Sequence, residues 1–283
     1  MGVAPSVGVM ATRSAGTYVH GHHASVLASH GTRTAENSCG YVLDRLRPGQ
    51  RVLDLGCGPG SITLDLAGRV GPDGRVTGVD AAEPAIAASR EAADRRGDRV
   101  TAFVVGDLFS LDIEPASFDV VHAHQVLQHV LDPVGALRAM GRYCRPGGIV
   151  AVRDADYGAM AWYPEVDELA RWRELYRSLA RSTGGEPDAG RRLRAWVREA
   201  GLTVEFAGSS SWTYATAEST AWWGRSQADR VLNSSFADRA EAHGVTRAEL
   251  ERIADGWRRW GDDPDAWFFL PHGEVIARPG GAG

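Results

Sequence analysis

Arg51-Val-Leu-Asp-Leu-Gly-Cys-Gly-Pro-Gly60 is the stretch around which the rest of the chain can be placed. Val52, Leu53 and Leu55 make a short apolar run that flows into Gly56, Gly58 and Gly60, and Ser61, Ile62, Thr63, Leu64 and Leu66 read as the start of a helix. The pattern predicts a buried strand, a glycine turn and a helix N-terminus in succession. Glycine serves where the backbone must turn sharply and let a ligand approach. The free N–H groups of a helix start favour a polar or anionic ligand group.

Two nucleotide-binding patterns fail at this turn. The dinucleotide fingerprint G-x-G-x-x-G meets Ser61 at its sixth position when counted from Gly56, and Thr63 when counted from Gly58. Pro59 also removes a backbone donor from the turn. A phosphate-binding P-loop needs a lysine, and all 31 basic residues here are arginine.

Working outward, residues 75–80 read as a second strand, 100–105 as a third ending in Gly106-Asp107, 118–122 as a fourth and 149–153 as a fifth. Helical stretches at about 84–95 and 133–143 lie between them. Strands alternating with helices predict an α/β fold, a parallel sheet covered on both faces. All nine tryptophans lie beyond residue 160. Helical periodicity marks 166–179, 190–200 and 216–243, and the capping box Thr246-Arg-Ala-Glu249 opens another helix. Strands are expected at 202–210 and 267–277, and helix over 18–46. The expected layout is a flexible tail, 1–16, and a single domain, 17–283. That domain divides into N-terminal cap helices (17–46), a core (47–160) and a C-terminal part (161–283) with a helical insertion near 213–263.

Composition narrows the function. The formal charge is −5, so no global positive field draws the chain to nucleic acid or to an anionic membrane. Cys39, Cys57 and Cys144 are odd in number and widely spaced, which predicts reduced thiols in a cytoplasmic protein. No apolar run reaches membrane-spanning length, and the first residues lack a secretory signal pattern. His20 and His23 would share a helical face, but no carboxylate or cysteine nearby completes a ligand set, so no metal site is expected.

The pattern that is present, Asp54, Gly56, Gly58 and Gly60, resembles motif I of the class I S-adenosylmethionine (SAM)-dependent methyltransferases. Asp80, Gly106-Asp107-Leu108, Phe118-Asp-Val-Val121 and Arg145-Pro-Gly-Gly148 follow where the family's later motifs stand, so the resemblance covers about residues 40–155. Leu53–Gly60, Val126-Leu-Gln-His-Val130 and Tyr18-Val-His-Gly21 with His30 and Arg33 look most like the UbiE/COQ5-like small-molecule group. The resemblance implies a Rossmann-like, mostly parallel seven-stranded sheet whose last strand is antiparallel. The long insertion before that strand departs from the group, and puts its quinone substrate in doubt.

The resemblance also implies roles. Gly56, Gly58 and Gly60 would admit SAM; Asp80, next to Ala81, would accept both ribose hydroxyls; Asp107 would accept from the adenine amino group and the Leu108 N–H would meet the ring. Ala123 and His124 would contact the methionine part, with Tyr18 and Arg33 reaching its carboxylate. Asp54 is expected to bond the backbone of the glycine turn. His124, His129, Asp156 and Tyr157 are the candidate catalytic residues, each with a packing or loop role as its alternative. Trp162, Trp222, Trp223 and Trp267 are expected at a pocket, and Trp172, Trp196, Trp257 and Trp260 in the core. Arg191, Arg192, Arg194 and Arg198 read as a solvated helix face.

These readings lead to SAM-dependent methyl transfer, by in-line displacement, to a small apolar or aromatic metabolite, with S-adenosylhomocysteine (SAH) as product. Oxygen is the preferred acceptor atom over carbon, nitrogen or sulfur, and specialised (secondary) metabolism the expected setting. The rival is a SAM-binding protein that does not methylate. No nucleic-acid partner is expected, and a homodimer is compatible with the sequence.

Overall fold

The computed structural model describes residues 33–280. The expectations for the 1–16 tail, for Tyr18 and for the histidines at 20, 22, 23 and 30 lie outside the described residues.

Local chemistry sets each element. Thr34 opens α1 (Ala35–Leu43): its hydroxyl accepts the Asn37 N–H while the Asn37 side chain accepts the Thr34 N–H. β1 (Arg51–Leu55) leads through the glycine turn into α2 (Ser61–Val70). β2 (Arg75–Asp80) is followed by α3 (Glu83–Arg96), with Pro84 in its first turn and Gly97 left-handed at its end. β3 (Thr101–Val105) and β4 (Phe118–His124) come next. Asp132 caps α4 (Pro133–Tyr143) by accepting the Gly135 N–H at 2.7 Å, and β5 (Cys144–Ala155) follows.

β1 to β5 are parallel, in the order β3-β2-β1-β4-β5. The chain reverses its direction of winding between β1 and β4, and a crevice opens at the C-terminal ends of such strands. β8 (Trp267–Arg278) runs antiparallel beside β5, and β7 (Thr203–Tyr214) pairs antiparallel with β8. The antiparallel last strand is therefore as expected. An eighth strand was not expected: β6 (Ala161–Tyr163) pairs with Trp267–Phe269. Three residues before a proline are too few to show a period-two pattern.

The central strands β1, β4 and β5 are buried on both faces and mostly apolar, whereas β3 and β7 are largely exposed. Val52, Val120, Ile149 and Ala151 pack toward α1 and α2. Leu53, Val121, Val150 and Val152 pack toward α4 and α6 (Leu193–Glu199).

The second half builds a third core. It is made by α5 (Asp167–Ser182), α7 (Ala217–Asn233), α8 (Ser235–Ala242) and α9 (Arg247–Gly261). The helix expected over 216–243 is two helices, because Ser234 is extended and its hydroxyl accepts the Phe236 N–H to start α8. Trp172, Trp257 and Trp260 are fully buried, whereas Trp196 is only half-buried. Phe268 and Leu270 of β8 and Ala155 of β5 belong to the same cluster, so the insertion shares its core with the sheet. Among the described residues no helix is long and apolar enough to cross a membrane.

Candidate functional site

The glycine turn is shaped by neighbours that leave no room. Gly56 has φ +67° and Gly60 φ +80°, both left-handed. A Cβ on Gly56 would stand 2.4 Å from Val126 Cγ2; one on Gly60 would stand 2.8 Å from Ser89 Cβ and 2.9 Å from Phe103 Cζ. Glycine is required there by both conformation and space. Gly58 is left-handed too, and its N–H donates to Asp80 Oδ2 at 2.9 Å. Asp80 Oδ1 accepts the Ala82 N–H at 2.9 Å. Each carboxylate oxygen keeps a further acceptor position, so the same side chain that ties β2 to the turn can still receive hydroxyls.

Asp107 stands beyond β3 and accepts the Phe109 N–H at 3.0 Å, while the Leu108 carbonyl accepts from the Tyr143 hydroxyl at 3.1 Å. Asp54 differs from its expected partners. It is buried, and it accepts from Thr63 Oγ1 at 2.6 Å and from His122 Nδ1 at 2.7 Å, not from the turn's backbone. It locks β1 to α2 and β4 beneath the turn. Two strand-end carboxylates beside a turn stripped of side chains suit a nucleoside with a free diol, and the residues present thus fit SAM. Ala81 is exposed at the rim, and Ala123 is buried in β4.

Beyond β4 the site turns aromatic and basic. Gln125 has φ +54°, unusual for a residue with a side chain. Its N–H donates to the Arg153 carbonyl at 2.7 Å, and its side-chain oxygen accepts from Arg33 at 2.8 Å. Its side-chain nitrogen meets His272 Nε2 at 2.8 Å. His272 Nδ1 lies 3.0 Å from the Leu270 carbonyl, which can only accept. Nδ1 therefore carries the proton, Nε2 accepts from Gln125, and His272 is neutral. Burial, then the charges of Arg153 and Arg33, hold its pKa well below the usual histidine value.

His124 is 5% exposed, with its ring stacked 6.1 Å from His272 and 5.7 Å from Trp212. Among the described residues neither ring nitrogen has a hydrogen-bond partner. Burial, followed by Arg153 and Arg33, lowers its pKa well below normal. His129 ends a single 3-10 turn, Leu127–His129, and its Nε2 lies 2.9 Å from the Gln128 amide. Burial and then Arg33 lower its pKa to about 3. Both histidines are neutral hydrogen-bonding groups and weak bases. Asp154, buried in β5, accepts the Gln128 N–H at 3.0 Å and holds that turn in place; burial pushes its pKa up to about 7.

Tyr157 packs against Tyr176, ring centres 4.2 Å apart, at the edge of a cleft of about 820 Å³. Gln125, Gln128 and His129 line the cleft on the donor side, and Trp212, Tyr214, Trp222 and Trp223 on the side of the insertion. Tyr214 stacks on Trp223 at 4.5 Å. Of the tryptophans expected at a pocket, Trp222 and Trp223 are there. Trp162 instead pairs with Phe268, and Trp267 stacks on Phe269 and is 38% exposed.

Asp156 is placed differently from its expected catalytic position. Arg191 grips it with two bonds of 2.5 and 2.6 Å, and it caps the Ala159 N–H at 3.1 Å. A carboxylate so occupied fastens the loop after β5, with its charge already paired to a guanidinium. Arg191, Arg192, Arg194 and Arg198 are all exposed, as a solvated face requires, and within that face Arg191 clasps Asp156 and Arg192 pairs with Glu186. Among the described residues no cluster of three or more histidine, cysteine or acidic side chains could hold a metal.

Sequence reasoning missed Gln125, Gln128, Trp212 and His272. Only the left-handed backbone at Gln125 marks it, and β7 runs four residues past its expected end to deliver Trp212.

Comparison with known proteins agrees with this geometry. A methyltransferase domain model matches residues 46–208. An uncharacterized methyltransferase of Schizosaccharomyces pombe is 32% identical over 270 residues, covering 92% of this chain and 95% of that protein. A demethylmenaquinone methyltransferase of Lactococcus lactis is 30% identical over 172 residues, covering 56% and 68%. A candidate methyltransferase from Bacillus halodurans, known by crystal structure, shares the fold at a TM-score of 0.56 with 16% identity, covering 85% of this chain and 98% of that one. The chain belongs to the SAM-dependent methyltransferase family.

Proposed function

We propose that this enzyme methylates a small, flat, largely apolar or aromatic metabolite, with oxygen as the receiving atom. The observation that carries the reading is the aromatic-walled cleft of about 820 Å³ that meets the donor side at Gln125, Gln128 and His129. Bound SAM supplies a methyl on a sulfonium, which leaves as a neutral thioether. The chain's own work is then to bind, align and exclude water, and alignment alone can be worth several kcal/mol.

In this reading Asp80 holds the ribose diol, while Asp107 and the Leu108 N–H hold the adenine. Arg33 receives the methionine carboxylate, and Ala123 and His124 border the methionine part. His124, kept neutral by burial and with both ring nitrogens unpartnered among the described residues, accepts a hydrogen bond from the acceptor hydroxyl and orients its lone pair, while His129, whose Nε2 already accepts from the Gln128 amide, shapes the cleft wall. Tyr157 positions the ring from the cleft edge. Asp156 is left out of the catalytic set because Arg191 occupies it.

We infer kinship with the UbiE/COQ5-like group from Leu53–Gly60 and Val126–Val130, together with the likeness to the demethylmenaquinone enzyme. The insertion, by replacing one wall of the cleft, argues for an acceptor other than a quinone. Three buried free thiols favour action in the reducing cytoplasm.

The test is incubation with methyl-labelled SAM and an extract or a panel of hydroxylated aromatics, read by mass spectrometry. A labelled O-methyl product with matching SAH is expected. Label on carbon, nitrogen or sulfur would reassign the acceptor atom, and SAM binding without turnover would favour the non-methylating reading.

A further inference from the structure

The geometry points to an acceptor that carries a negative charge: a flat aromatic acid held by arginines of the insertion. The inference rests on the methyltransferase reading and names the substrate class of the same cleft. Its charged lining is lopsided. Among the described residues Arg225 and Arg230 of the insertion line it against a single carboxylate, Glu218, while Arg33 beside them is assigned to the methionine carboxylate. The chain as a whole is acidic, at −5, so this is a local inversion of sign.

The cations are placed among aromatic faces. The Arg230 guanidinium, on a residue 8% exposed, lies 5.6 Å from the Trp223 ring, and Tyr214 stacks on the same ring. The Arg33 guanidinium lies 5.2 Å from the Trp212 ring. Arg225 is exposed on α7, with no ion pair among the described residues. The neighbouring groups report the same field: Arg33 is among the causes that depress both His124 and His129, and Arg33 and Arg230 both oppose the burial that raises Tyr214.

A cleft that is aromatic-walled and positive favours a planar anion over its neutral isostere, since charge-assisted hydrogen bonds are stronger than neutral ones. Arg225 and Arg230 both sit on α7, the insertion's side, opposite Gln125 and Gln128. The acid group is therefore anchored away from the donor, and the hydroxyl at the other end of the ring system faces it.

The experiment titrates 2-naphthoate and 2-naphthamide into the full chain saturated with SAH. The acid should bind about tenfold more tightly than the amide, the scale of one charge-assisted bond. Arg225→Gln should shrink that preference severalfold and Glu218→Gln should widen it, with SAH affinity the same in both. Added salt should weaken the acid and leave the amide unchanged. Equal affinities, no detectable binding of the acid, or a preference untouched in both Arg225→Gln and Arg230→Gln would overturn the inference. Failure of SAH to bind counts against the donor site instead, and the pair is then compared on the unloaded chain.

Discussion

The side-chain amide of Gln125 donates to Nε2 of His272 across 2.8 Å, joining the residue after β4 to the middle of β8. The same amide's oxygen holds Arg33, so one side chain sets the floor of the cleft. Gln125→Leu keeps the size but strips both bonds and leaves His272 Nε2 buried and unpaired. A loss of roughly 1–3 kcal/mol in urea unfolding is expected. An unchanged unfolding midpoint would show that the contact contributes nothing.

Asp80 should matter to donor affinity. Replacement by Ala removes the acceptor for a ribose diol and the tie to the Gly58 N–H. SAH affinity by calorimetry should fall about ten- to hundredfold, corresponding to roughly 1.5–3 kcal/mol. Asp80→Asn should fall in between.

Gly56→Ala brings a Cβ to within 2.4 Å of Val126 Cγ2 at a left-handed backbone position. The conformation alone costs about 1–2 kcal/mol. Stability and SAH binding should both drop, and Val126→Ala in the same chain should restore part of each. No rescue would mean that the strain, not the collision, is the whole effect.

His124 and His272 are buried and His129 is half-buried, and the pKa values of all three are depressed. Below an unfolded value near 6.5 the unfolded chain takes up protons that the folded chain refuses, so folding stability falls as pH falls. Each histidine contributes up to about 1.4 kcal/mol per pH unit to that slope until its folded pKa is reached. Unfolding free energies from pH 7.5 down to 4.5 should therefore decline less in His129→Gln than in the parent. Asp154, raised to about 7, acts with the opposite sign over about pH 4–7, since its buried carboxyl keeps its proton when the unfolded chain has lost it. It is common to both proteins and drops out of the difference.

Arg191→Ala separates a clasp from a catalytic role for Asp156. Stability should fall while SAH affinity holds. Asp156→Asn, which retains part of the cap on Ala159, should lose stability and keep most of its turnover. A collapse of kcat in a fully stable Asp156→Asn protein would return that residue to the catalytic set.

The glycine turn and strand-end carboxylates of the proposed donor side were legible because their physics is local. Gly56 to Gly60, Asp80 and Asp107 each follow a strand at fixed spacing, and a turn that must admit a ligand constrains its own residues. The acceptor half is assembled from distant pieces. Trp212 from β7, His272 from β8 and Gln125 after β4 meet only through strand register, and no period in the sequence records a meeting of that kind. Asp156 misled for a related reason: a carboxylate after a central strand looks the same whether it faces an acceptor or an arginine 35 residues on.

The insertion leaves the sheet after Tyr214 and returns at Trp267, and Tyr214 is paired directly with Phe268. Paired residues of neighbouring antiparallel strands stand only about 5 Å apart. The whole roof of the cleft is thus spliced into the tip of one hairpin. Such a segment joins the chain at two adjacent points, neither of them at Gly56, Asp80 or Asp107, and its helices pack on α5, β5 and β8. Under the proposed function, changes confined to that roof would alter the acceptor and leave the donor's residues in place.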